Sequence, residues 1–181
     1  HGDSESGPDH FSIDLFVSDL ICFMNDLTIN KAVLCGLSMG GYIALNAVIN
    51  YADVFDALIL CDTSCAADTI EAKHKSLNSK GSVIELVREM IIKTSIQSLY
   101  NSMHALAVRK ETCSRLPLIK IPVLILVGID DKITPLSAAK AMHVSIPGSE
   151  LAIIEHAGHL SNMENPYEFN YLIKKFIETV Y

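Results

Sequence analysis

The sequence predicts an α/β fold, a mostly parallel sheet flanked by helices, with a helical insertion between two of its strands. Three observations lead there. Apolar runs at 32–35, 57–61, 121–127 and 151–154 lack the polar alternation of a half-exposed strand, so both of their faces are expected to be buried. Between them lie stretches whose apolar residues recur at three- and four-residue steps, the period of a helix packed along one side. The longest strand-free interval, between Asp62 and Pro117, carries helical spacing with many Ser, Lys and Asn. Strands and helices in alternation build a parallel sheet covered on both sides.

Taken in order, residues 1–10 (HGDSESGPDH) are turn-forming punctuation. Ser12 then caps a helix whose apolar stripe is Ile13, Phe16, Val17, Leu20, Ile21, Met24 and Leu27. The run 32–35 ends at Gly36, and a helix is expected over 42–50. The insertion holds two amphipathic stretches, one through Val83, Ile84, Leu86, Val87, Met90 and Ile91, the other through Leu99, Met103, Leu106 and Ala107. Two further helices are expected at 136–145 and 166–180. Pro166 suits the first helical position of the last one, and Phe169, Leu172, Ile173, Phe176 and Ile177 form its buried face. The chain divides accordingly into a core half at 1–63, an insertion at 64–116 and a second core half at 117–181.

Composition narrows the function. With 14 Lys and Arg against 21 Asp and Glu among 181 residues, the net charge is −7. No basic stripe is present to displace counterions from nucleic acid. The longest apolar runs, about seven residues, fall far short of the roughly 20 needed to span a bilayer. The five cysteines (22, 35, 61, 65 and 113) are odd in number and irregularly spaced, so reduced, mostly buried thiols in a cytoplasmic protein are expected, with Cys35 buried and inert. Neither Cys61 with Cys65 nor His156 with His159 has the remaining ligands of a metal site. No phosphate loop or dinucleotide fingerprint occurs, and no cofactor is expected.

The chemistry centres on Gly36-Leu37-Ser38-Met39-Gly40, where a strand ends and a helix begins. A serine on so sharp a turn stands proud of the sheet, and small residues at Gly36 and Gly40 are expected to let the turn close. The N–H of Met39 then faces the place where an oxyanion would form. A serine hydroxyl is a weak nucleophile and needs a base, and the base needs an orienting acid. His159 follows the last strand in Ala157-Gly158-His159, at the sheet edge where parallel strands present their chemistry. His156 is its nearest rival; His10, His74, His104 and His143 fall in solvated loop or helix patterns. Asp130 and Asp131, just past the strand at 121–127, are both candidates for the acid, and either gives the chain order Ser…Asp…His.

These segments resemble the α/β-hydrolase superfamily and, within it, the 3-oxoadipate enol-lactonase-like branch. The resemblance is carried by His1-Gly2-Asp3-Ser4, by GLSMGGYIAL at 36–45, by Ile121-Pro122-Val123 leading to Gly128-Ile129-Asp130-Asp131-Lys132-Ile133-Thr134-Pro135, and by AGHLSNMENPYEFN at 157–170. It implies Ser38 as nucleophile, His159 as base and Asp131 rather than Asp130 as the acid. It also implies strands and an oxyanion loop preceding residue 1, and an insertion some 20 residues longer near 78–83. On that comparison the sequence is expected to be the C-terminal part of a longer hydrolase. The implied activity is cleavage of a small ester or enol-lactone through an acyl-enzyme. The alternatives are a cofactor-free haloperoxidase-like enzyme or general carboxylesterase, and a ligand-binding member without catalysis. A small molecule is the expected partner, with no nucleic acid and no membrane; the oligomeric state is left open.

Overall fold

The computed structural model describes residues 7, 11–67 and 81–181. In order they form α1 (Ile13–Asp26), β1 (Ala32–Leu37), α2 (Met39–Asn50), β2 (Phe55–Cys61), α3 (Gly81–Lys93), α4 (Ile96–Val108), β3 (Val123–Gly128), α5 (Leu136–Ser145), β4 (Glu150–Ile154), α6 (Ser161–Glu164) and α7 (Pro166–Val180). The segment His1-Gly2-Asp3-Ser4, along with His10 and His74, lies outside the described residues, as do residues 78–80 of the stretch 78–83 where the insertion is expected to be shorter.

The four strands pair in the order β1-β2-β3-β4, all parallel. Leu37 pairs with Cys61, Cys61 with Leu126, and Gly128 with Ile154, so the carboxyl ends reach one edge together. Two-sided burial follows from the strand period of two. On β2 and β3, Leu58, Leu60, Ile125 and Val127 face one way, into a cluster with Val17, Leu45, Val48 and Met142 of the helices on that side. Ala57, Ile59, Leu124 and Leu126 face the other way, against Phe169 and Phe176 of α7. A strand serving two cores leaves little room for polar residues along its middle, which is why its sequence does not alternate.

Helix starts follow their caps. The Ser12 hydroxyl accepts the Leu15 amide at 3.0 Å, and Pro166 opens α7 as expected. One start differs: α2 begins at Met39, three residues earlier than its apolar spacing suggests. Gly40 and Gly41 carry no side chain to register in a pattern, yet they are helical. The insertion also departs from expectation. Of the stripe on α3 only Val83 is buried, and Leu86 and Met90 are 50% and 57% exposed. Neither apolar cluster includes a residue of α3 or α4, so these two helices lie outside both layers, while Cys65 and Leu116 at the ends of the insertion join the first.

The cysteines require a correction. Cys65 and Cys113 form a disulfide across the two ends of the insertion. Cys22 and Cys35 are exposed and only Cys61 is a buried thiol. Cys35 lies on β1, an edge strand among the described residues, where one flank has no neighbouring strand. Among the described residues no helix is long and apolar enough to cross a membrane.

Candidate active site

The turn after β1 is built by close approach. A Cβ on Gly36 would sit 2.2 Å from the Gly40 carbonyl oxygen, and one on Gly41 would meet the Thr63 hydroxyl at 2.4 Å. Gly40 itself has open space around its missing Cβ among the described residues. Its expected role in closing the turn is therefore filled by Gly36 and Gly41. Ser38 takes φ 50°, ψ −113°, outside the usual regions for an L-residue. It is fixed there from both sides: its amide donates to the Cys61 carbonyl at 2.9 Å, and its carbonyl accepts the Thr63 hydroxyl at 2.8 Å. Met39 is the first residue of α2, and its N–H is one of the first-turn amides that a helix leaves without an internal acceptor.

His159 and Asp131 reach this serine from the next strand ends. The His159 Nε2 lies 2.8 Å from the Ser38 Oγ, and its Nδ1 lies 2.9 Å from the Asp131 Oδ2. Asp131 can only accept when ionised, so the network assigns the proton to Nδ1 and leaves Nε2 to accept from the serine. The Thr134 hydroxyl donates to the same Asp131 oxygen at 2.6 Å, and the amides of Ile133 and Thr134 donate to Oδ1 at 2.8 and 3.0 Å. Burial pushes the Asp131 carboxyl up, but these bonds and the neighbouring imidazole outweigh it, and the group is held below its ordinary value. Asp131 and His159 are both buried. Asp130 is exposed, as are His104 and His156, and His143 pairs instead with Ser149.

A cavity of about 630 Å³ opens above Ser38 and His159. Core residues such as Tyr42 and Pro135 line one side, and insertion residues such as Ala66, Met103 and Leu106 line another. Arg109 stands in this wall with its guanidinium 3.6 Å from the centre of the Tyr42 ring and donates to the Ala66 carbonyl.

The family model for the alpha/beta hydrolase family matches residues 1–170. The chain belongs to the alpha/beta hydrolase family. A 3-oxoadipate enol-lactonase of Acinetobacter baylyi is 25% identical over 199 residues, covering 96% of this chain and 74% of that protein. The AB hydrolase superfamily protein YisY of Bacillus subtilis is 29% identical, covering 97% and 77%. Among solved structures, a thermophilic esterase from Thermogutta terrifontis superposes with a TM-score of 0.91 at 30% identity, covering 99% of this chain and 76% of that one. The enol-lactonase of Burkholderia xenovorans, at 21% identity and a TM-score of 0.79, shares the fold.

Three residues that sequence reasoning passed over also gather here. Asp62 follows β2, fully buried with φ 44°. Its carboxylate accepts the Gly128 amide at 2.9 Å, and the amide and hydroxyl of Ser161 at 3.1 and 2.5 Å. Glu164 accepts the amides of Gly158 and Leu160, the two neighbours of His159, at 3.0 and 3.2 Å. Asp62 had a readable signal, since it follows an apolar run just as Asp131 does. Ser161 and Glu164 had none, because only the fold brings them under the histidine.

Proposed function

We propose that this hydrolase cleaves a small ester or lactone through an acyl-enzyme, with Ser38 as nucleophile, His159 as general base and acid, and Asp131 as the orienting carboxylate. The observation that carries this reading is the unbroken hydrogen-bond chain from the Ser38 Oγ through His159 to Asp131. As the hydroxyl attacks a carbonyl carbon, its proton passes to Nε2, and the positive charge on the ring is stabilised by the ionised Asp131. The carbonyl oxygen becomes an oxyanion facing the Met39 N–H at the start of α2, where the helix dipole adds to the attraction. His159 then returns the proton to the leaving alkoxide, and a water repeats the cycle on the acyl-serine.

The division at 64–116 supports the choice of substrate. Ala66, Met103 and Leu106 come from the insertion and make the cavity wall mainly apolar, which suits a small acyl or lactone ring. The Acinetobacter and Burkholderia enol-lactonases make an enol-lactone the first substrate to try, and the Thermogutta esterase makes p-nitrophenyl acetate the second. A haloperoxidase-like activity would use the same three residues; a solved structure named as a non-heme bromoperoxidase shares the fold at 21% identity. For location, the free thiols of Cys22, Cys35 and Cys61 support the cytoplasm and the Cys65–Cys113 bridge weighs against it.

A fluorophosphonate probe and p-nitrophenyl acetate test the reading together. The native protein is expected to be labelled at Ser38 and to turn over the ester, and Ser38→Ala to lose both. Labelling without turnover of any ester or lactone would favour a ligand-binding role. No labelling at Ser38 would remove the nucleophile from the proposal.

A further inference from the structure

Asp62 is a buried acid that the proposed chemistry does not use. Its position is specific. One oxygen takes the amide of Gly128, the residue whose carbonyl accepts the Asp131 amide at 3.1 Å in the turn after β3. The other takes both donors of Ser161, two residues beyond His159. The acid turn and the base loop share a direct backbone bond, from the Asp130 amide to the Ala157 carbonyl at 2.9 Å, and the Asp62 carboxylate adds the link that reaches past His159 to Ser161. The two loops meet closely at Gly128, where a Cβ would lie 2.2 Å from the Gly158 carbonyl oxygen. A side chain that were only filling space would not need three donors aimed at it from two different loops.

We infer that Asp62 is a positioning residue, holding the turn that carries Asp131 and the loop that carries His159 in one register through Gly128 and Ser161. The inference rests on the proposed roles of Ser38, His159 and Asp131. Only the carboxylate form can accept all three bonds: a protonated oxygen facing the Gly128 or Ser161 amide would set donor against donor. The titratable groups on the elements it joins are Asp130, Asp131 and Lys132 on the acid turn, His156, His159 and Glu164 on the base loop and α6, and Cys61 at the end of β2. Burial, and secondarily the charge of Asp131, push the Asp62 carboxyl up to about 6, against the opposing pull of its hydrogen bonds. The clamp therefore loses its full set of acceptors as pH falls through about 6.

The test uses ester turnover across pH 4.5–8 for the wild-type chain, Asp62→Asn and Ser161→Ala. Asn offers one acceptor oxygen where two are used, so kcat is expected to fall on the order of 10–100-fold, with KM changed less than about twofold, because Asp62 does not line the cavity. Ser161→Ala keeps the amide bond and loses only the hydroxyl, so a smaller loss of kcat, roughly threefold, is expected. The wild-type acid limb of kcat should fall with the loss of two groups, and that of Asp62→Asn with one. If Asp62→Asn keeps wild-type kcat, or keeps the wild-type acid limb while kcat and thermal stability fall together, the inference is overturned. If Asp62→Asn does not fold, a one-group acid limb in the wild-type chain together with an unaffected Ser161→Ala overturns it equally. Loss of turnover in the wild-type chain itself would strike the functional reading and leave the clamp to be read from phosphonate labelling rates of the same variants.

Discussion

The Cys65–Cys113 bridge should be the largest single covalent contribution to stability in this chain, and removing it gives a quantitative test. The bridge joins residues 48 apart. Closing a loop of that length removes unfolded-state entropy worth about 4 kcal/mol at 25 °C. For a chain of this size each kcal/mol moves the midpoint by about 2–4 °C, so reduction should lower Tm by about 8–16 °C. Activity should respond differently. The Thr112 amide still donates to the Cys65 carbonyl at 2.9 Å, and Arg109 still bonds Ala66 and lies over Tyr42. Those interactions, each worth about 1 kcal/mol, keep the ends of the insertion together well below the transition. Turnover of p-nitrophenyl acetate at 25 °C should therefore stay within about threefold of the oxidised protein, since these bonds hold the cavity wall in place without the bridge. The assay is thermal unfolding of wild-type protein and a Cys65→Ser/Cys113→Ser variant, each with and without a phosphine reductant, beside thiol titration in denaturant. Three thiols are expected before reduction and five after. Equal midpoints for all four samples would refute the reasoning, as would five thiols in the untreated protein.

Two other outcomes are open to direct measurement. Gly36→Ala should abolish soluble expression or activity because its Cβ meets backbone at 2.2 Å, whereas Gly40→Ala, with open space at its Cβ, should fold and turn over normally. Asp62 binds a proton in the folded chain up to about pH 6 but only to about 3.8 when unperturbed, so stability should rise as pH falls from about 6 to about 4, by up to about 3 kcal/mol. Asp131 acts with the opposite sign, its contribution being present above the unfolded value and lost as pH falls through its lowered folded one; urea midpoints across that window should flatten between pH 4 and 6 in Asp62→Asn.

The parallel sheet was legible because two-sided burial writes itself into each strand. β2 and β3 have buried residues at nearly every position, and the one charged residue on them, Asp56, sits near the start of β2, half-buried and paired with Lys31. The helix starts marked by Ser12 and Pro166 were legible because such signals are local. What pattern reading could not reach was set by distance in the chain. The Cys65–Cys113 pair depends on where the two ends of an insertion meet, and spacing alone carries no signal for that. At the site, the strand-end positions of Ser38, Asp131 and His159 were readable, and the fold brings the three within hydrogen-bond reach of one another. Choosing Asp131 over Asp130 needed the resemblance. The structure separates them by burial, with Asp130 exposed and Asp131 buried. The carboxylate of Glu164 escaped because a buried acid looks in sequence like the surface acids that outnumber it, whereas Asp62 carried the strand-end signal that Asp131 carries.

The sheet edge that holds this chemistry is also where the chain departs most from relaxed geometry. Ser38, Asp62 and His156 follow β1, β2 and β4 with positive φ, at 50°, 44° and 57°. Such conformations cost about 1–3 kcal/mol each and persist only where surrounding bonds over-determine them, as the Cys61 and Thr63 contacts do at Ser38. The cost at Ser38 can be isolated by two variants that both remove the hydroxyl. Alanine keeps the strain, while glycine relieves it and gives back about 0.5–1 kcal/mol through its freer unfolded chain. Ser38→Gly should therefore unfold at higher urea than Ser38→Ala, by the equivalent of about 1 kcal/mol. Both should be inactive, so the difference reports backbone geometry alone. If Ser38→Ala proved the more stable of the two, the serine turn would hold less strain than glycine's unfolded-chain cost, and the hydroxyl would owe its position to the Cys61 and Thr63 bonds and the close approach at Gly36 and Gly41.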